Sequence, residues 1–144
     1  MPVSRAMRRL LDVLEIEERE CRAAMEAARA ELELVRQALH GGKERERGGR
    51  RLIASSATTG EVADRIAGLE ETQTARRIVT ALTPRIAEAE AAVNARRQEF
   101  LDKRVQRRQT ETLIEEAETR RKAETGRRTQ RDLDDWFLGR SRRS

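Results

Sequence analysis

The 144-residue chain has no tyrosine, one tryptophan, two phenylalanines, one cysteine, one histidine and two prolines. Without aromatic bulk, a compact globular core of ordinary size is not expected, because large apolar side chains supply most of the burial. A lone Cys21 rules out an internal disulfide framework and any multi-cysteine zinc site. No apolar run is long enough to span a bilayer, so no membrane insertion is expected. Met7-Arg8-Arg9 interrupts any signal-peptide core, and the expectation is a soluble cytoplasmic protein.

What the chain does have is charge and helix formers. Charged residues make up 40% and the net charge is +5, the composition of long helices or coiled coils. The excess of positive charge lies in residues 96–144. Acidic residues alternate with the arginines there, as on an ion-paired helix. This pattern argues against nucleic acid as a partner, although an Arg-rich clamp on RNA or DNA stays open as an alternative, as does a plain coiled-coil scaffold.

The strongest periodicity runs through Met7, Leu11, Leu14, Glu18, Cys21, Met25, Ala28, Leu32, Val35 and Leu39, spaced alternately by four and three. This is a coiled-coil seam, and one helix cannot bury it alone. Gly41-Gly42 and Gly48-Gly49 follow, then a Ser/Thr-rich stretch ending at Gly60. The glycines predict a weakened helix end over 41–60 passing into a turn. Thr58 with Glu61 fits a capping box that opens a second helix. Ile86, Val93, Phe100 and Ile114 extend a thinner seam, with Arg107 in the gap. Pro84 predicts a kink or short break, with Thr83 as a cap. Helix is expected to persist to Leu138 and end at Gly139.

The expected fold is therefore all-α, a long antiparallel two-helix coiled-coil hairpin. Arm one covers about 3–53, the tip about 54–60 and arm two about 61–138, with a basic tail at 139–144. Arm two is the longer, so part of it overhangs or folds back. The matching lengths of 84–138 and 1–55 favour a fold-back of 61–82.

No constellation for catalysis is present. Cys21 reads as a seam residue, and His40 as a polar residue at a helix end. Gly41-Gly42-Lys43 lacks the strand, spacing and hydroxyl of a phosphate loop. No enzyme activity, metal or cofactor is expected. The unusual spot is Leu133-Asp134-Asp135-Trp136-Phe137-Leu138, where adjacent aromatics sit in a basic region. Either they cap the open end of the hairpin against Met7, Leu10 and Leu11, or they form a docking surface.

The segment from Leu10 to Arg19 (LLDVLEIEER) and the segment from Arg127 to Leu138 (RRTQRDLDDWFL) resemble the type III secretion stalk proteins, the YscO group, related to the flagellar FliJ group. The resemblance covers nearly the whole chain, and the closing segment is its most specific part. It implies a non-enzymatic cytoplasmic hairpin at the base of a secretion apparatus, a monomer on its own. Such a stalk links a hexameric secretion ATPase to the export gate and binds secretion chaperones. Carried onto this chain, the ATPase-binding residues are Met7, Arg8, Arg9, Leu11, Arg131, Leu133, Trp136, Phe137 and Arg140. The gate-facing part lies towards 36–60, with Arg36, Gln37 and Leu39. The flagellar group has tyrosines after a Gln-Leu stretch and this chain has none, so the resemblance points to the injectisome branch, with a flagellar stalk as the alternative.

Overall fold

A computed structural model describes residues 5–143. The expected start of arm one at residue 3 and the last residue of the basic tail lie outside them. Two α-helices account for nearly all described residues: α1, Arg5–Thr59, and α2, Val62–Arg143. They pack against each other antiparallel, as a helical hairpin requires. The chain divides into two units through which both helices run. One contains 5–20 and 101–143, the other 21–100.

In each unit the packing follows the heptad seam. On α1 the seam does not stop at His40, as expected from the glycines. It continues at the same spacing through Gly42, Glu46, Gly49, Ile53 and Ser56, each buried or half-buried. On α2 a matching seam runs Gly68, Thr72, Ala75, Val79, Leu82, Ile86, Ala89, Val93, then Phe100, Lys103, Arg107, Thr110, Ile114 and Ala117, all at least half-buried. Only Arg96, in the remaining place, is exposed. Leu14, Met25, Leu32, Val35, Ala75 and Ile114 are the most buried apolar residues. Cys21 is a half-buried free thiol on this seam.

The glycines that weaken the helix locally are the ones that let the arms meet. A Cβ on Gly49 would collide with Thr72 Oγ1 and lie 2.9 Å from the Gly68 carbonyl oxygen. A Cβ on Gly68 would lie 2.7 Å from the Gly49 carbonyl oxygen. Backbone therefore touches backbone, which only glycine allows. Gly41 and Gly48 face open space. Each glycine costs the helix about 1 kcal/mol against alanine, and in the tip-side unit the contacts made by Gly42, Gly49 and Gly68 offset part of that cost. The expected weakened end over 41–60 is thus overturned. α1 is helical to Thr59, and His40 lies within the helix rather than at its end.

The turn is short. Gly60, at φ +73°, is the only described residue with a positive φ, and ends α1 in the left-handed conformation. Its amide donates to the Ser56 carbonyl at 2.7 Å. The cap is not the expected Thr58, which lies inside α1. Thr59 Oγ1 accepts from the Glu61 amide at 3.4 Å, and the Arg65 amide donates to the Glu61 carbonyl at 3.3 Å. α2 then returns directly along α1, so 61–82 does not fold back on its own arm.

Pro84 breaks nothing. α2 is continuous through it, and Thr83 is no cap, because its hydroxyl donates to the Val79 carbonyl at 2.7 Å within the helix. Pro84 has no N–H for the Thr80 carbonyl, but Thr80 lies on the exposed side of α2, where the lost bond falls outside the packed seam. Gly139 likewise does not end α2, which runs to Arg143. Arg140, Arg142 and Arg143 occupy the last turn, where cations favour the helix dipole.

Polar seam residues are matched across the pair. Glu18, the polar place among the first ten seam positions of α1, meets Arg107 of α2, and Arg107 Nη1 also donates to Glu111 at 2.8 Å. Those carboxylates raise the Arg107 pKa further above its ordinary value, chiefly through the Glu18 hydrogen bond. Glu46 sits between Arg50 and Arg76 at 2.8 and 3.2 Å. A polar pair at one seam level penalises every other register.

Gly48 and Gly49 make a matched test. Gly48→Ala should stabilise the protein by about 0.5–1 kcal/mol through helix propensity. Gly49→Ala should destabilise it by about 1–3 kcal/mol through overpacking. Thermal midpoints of the two variants should move in opposite directions.

Candidate docking surfaces

Among the described residues, α1 covers α2 only as far as Glu118. Nearest the start of α1, Arg8 Nη2 pairs across the arms with Glu118 Oε1 at 3.1 Å. Beyond Glu118 every described residue of α2 is exposed except Gly139, which is half-buried. Extended at the same spacing, the seam would read Arg121, Glu124, Arg128, Arg131, Asp135 and Leu138. That stripe offers another helix almost nothing apolar to cover. The overhang of 119–143 carries nine basic and four acidic residues, so the whole +5 of the chain resides on it.

This disposes of the capping reading of the aromatics. Trp136 and Phe137 are 55% and 60% exposed, and Leu133 and Leu138 are exposed too. The two rings meet edge to face at 5.1 Å between centroids. The Arg140 guanidinium lies 5.3 Å above the Trp136 ring, a cation–π contact. Leu133, Trp136, Phe137 and Arg140 recur at helical spacing and share one face. Gln130 Nε2 donates to Asp134 Oδ1 at 3.0 Å alongside.

The nine residues expected at one ATPase-facing end are not brought together. Arg131, Leu133, Trp136, Phe137 and Arg140 form the overhang group. Met7 and Leu11 are half-buried in the seam, Arg9 is exposed, and Arg8 is paired with Glu118. From Glu118 to Trp136 the helix advances about 27 Å at 1.5 Å per residue.

The gate-facing residues are also displaced from the end of the hairpin. Arg36 pairs with Glu90 at 3.5 Å, Leu39 is half-buried in the seam and Gln37 is exposed. From Arg36 to Thr59 α1 advances about 35 Å. At the tip itself the structure leaves exposed a stripe that the sequence shows at helical spacing. Val62, Ile66 and Leu69 lie at i, i+4 and i+7 on α2, and Val62 is 68% exposed. The stretch 52–69 holds only Glu61, Asp64 and Arg65 as charges in a chain otherwise dense with them.

Among the described residues, no group of three or more His, Cys, Asp or Glu is placed to hold a metal. No described helix is long and apolar enough to cross a membrane.

Two electrostatic details flank the tip. The Glu61 carboxyl is held above its ordinary range by a hydrogen bond with Asp64 and by that group's charge. The Glu71 carboxyl is held below its range by Arg45, whose Nε donates to it at 2.6 Å. Their linkages have opposite sign. The Glu71 contribution is present at neutral pH and is lost as pH falls through its lowered pKa. The Glu61 contribution is present in acid and is lost as pH rises through its raised pKa. Carboxyl titration by NMR should show Glu71 below and Glu61 above ordinary glutamates. Arg45→Gln should return only Glu71 to the ordinary range, and Asp64→Asn only Glu61.

A family model described as "Flagellar FliJ protein" matches residues 4–144. No curated protein and no solved structure matches the chain.

Proposed function

This chain belongs to the FliJ family of flagellar and type III export stalk proteins, and from that premise we propose that it links a hexameric secretion ATPase to an export gate without catalysing a reaction itself. The observation that carries this reading is the overhang. A paired shaft ends in a single helix that holds all the net charge and presents exposed aromatics. A narrow, adhesive end is what a stalk needs in order to engage a ring. Leu133, Trp136 and Phe137 supply the apolar anchors. Arg131 and Arg140 supply cations for acidic loops of a pore. Met7, Arg8, Arg9 and Leu11 act further along the shaft, where pairing begins.

The gate contact belongs at the tip, around Gly60, in this reading. Val62, Ile66 and Leu69 are better placed for it than Arg36, Gln37 and Leu39, which lie along the arm. Secretion chaperones are further partners of the same cytoplasmic assembly, at the base of the apparatus.

The closing segment from Arg127 to Leu138 and the absence of tyrosine support the YscO-like injectisome branch. The description of the matching family favours the flagellar branch as a second reading. Co-purification with each of the two ATPases in turn decides between them.

Trp136→Ala with Phe137→Ala should weaken ATPase binding by at least about tenfold and abolish secretion, while the helical signal is retained. ATPase binding unchanged in that variant contradicts the docking assignment. Val62→Ser with Ile66→Ser should leave ATPase binding intact and lower secretion.

A further inference from the structure

We propose that the overhanging end of α2 binds the surface of an anionic lipid bilayer, lying along it with its aromatic face down. The observation is how charge is distributed around this helix. One stripe, stepping by three and four, contains Lys122, Leu133, Trp136, Phe137, Arg140 and Arg143. Apolar anchors lie in its middle and towards one end, cations stand at both ends, and no carboxylate interrupts it. At 100° per residue the four acidic residues of the overhang, Glu124, Asp132, Asp134 and Asp135, fall on the flanks and the opposite side. The stripe advances about 32 Å from Lys122 to Arg143, a flat contact rather than a pocket.

An interfacial helix has this make-up: Trp, Phe and Leu on one face, with basic residues reaching the headgroups. Arg140, stacked on Trp136, is placed to hold a lipid phosphate while the indole sits at the headgroup boundary. A nucleic acid is less well served. It would be met by a face with a single exposed Trp–Phe pair and long gaps between cations, whereas strands are tracked by a continuous basic groove with repeated stacking platforms. The charge complementarity thus commits the surface to anionic lipid. This inference does not rest on the ATPase reading. It implies only that ATPase and bilayer compete for Trp136 and Phe137.

Trp136 is the only tryptophan, so its fluorescence reports this site alone. The full-length chain is mixed with vesicles of phosphatidylcholine, with or without phosphatidylglycerol. Phosphatidylglycerol vesicles should co-sediment the protein and shift Trp136 emission to the blue, and both effects should fade with salt. Each cation removed should weaken partitioning about fivefold, so Lys122→Gln, Arg140→Gln and Arg143→Gln together should weaken it about a hundredfold. Phe137→Ala should reduce the blue shift while leaving every charge in place. Binding without a blue shift overturns the proposal, because it shows charge attraction alone. So does a shift on RNA that vesicles do not produce. The ATPase assay on the same variants is read separately. An unsubstituted chain that binds the ATPase but not the vesicles overturns this proposal alone, and one that binds the vesicles but not the ATPase overturns the ATPase reading alone.

Discussion

The rest of the structure depends on two apolar seams that must cover each other. The seam of α1 runs from 7 to 56 and that of α2 from 68 to 117, and these lengths are equal. Neither helix buries its stripe alone, and Gly60 with Glu61 leaves no slack between them. Within each unit the register follows from the facing seam positions, and among the described residues α2 is uncovered beyond Glu118. The overhang is a consequence of seam length, and its polar continuation keeps it from recruiting another helix.

Within that constraint the two units are held in different ways. Near the tip, Gly42, Gly49, Gly68 and Ala75 allow close approach, and specificity comes from shape: a single methyl in the wrong place collides with backbone. In the unit containing both termini, Leu14 and Ile114 are buried beside the Glu18–Arg107 pair and Thr110. There specificity comes from charge, since a shift in register leaves an arginine facing apolar side chains. Exposed pairs such as Arg8–Glu118 and Arg36–Glu90 add little individually.

The hairpin, the first ten seam positions and the start of the second helix near 61 were legible in the sequence, because large apolar residues at heptad spacing report directly on burial. Four features were not. Gly42 and Gly49 stand at seam spacing, but glycine has no side chain to register as apolar, and its low helix propensity points the other way. Pro84 and Gly139 carry local breaking tendencies that a long helix overrides. The α2 seam shows in the sequence only as the thin series Ile86, Val93, Phe100 and Ile114, because Gly68, Thr72, Lys103, Arg107 and Thr110 fill other places in it with residues that are not apolar side chains. Residue numbers alone, without those places, favour a fold-back. The aromatic group at 133–140 stands out in the sequence because two of the three aromatics are adjacent in a basic region, whereas the Val62, Ile66 and Leu69 stripe shows its helical spacing but not that the facing arm leaves it exposed.

The account stands on α2 losing its partner at Glu118 while remaining helical. Native-state amide hydrogen exchange measured residue by residue along α2 tests this most directly. Strong protection from 68 to 117, falling steeply after Glu118 and staying low to Arg143, is the predicted result, because an unpaired helix opens locally at little cost. Uniform protection across Glu118 would contradict it, since some part of the chain would then have to cover 119–143.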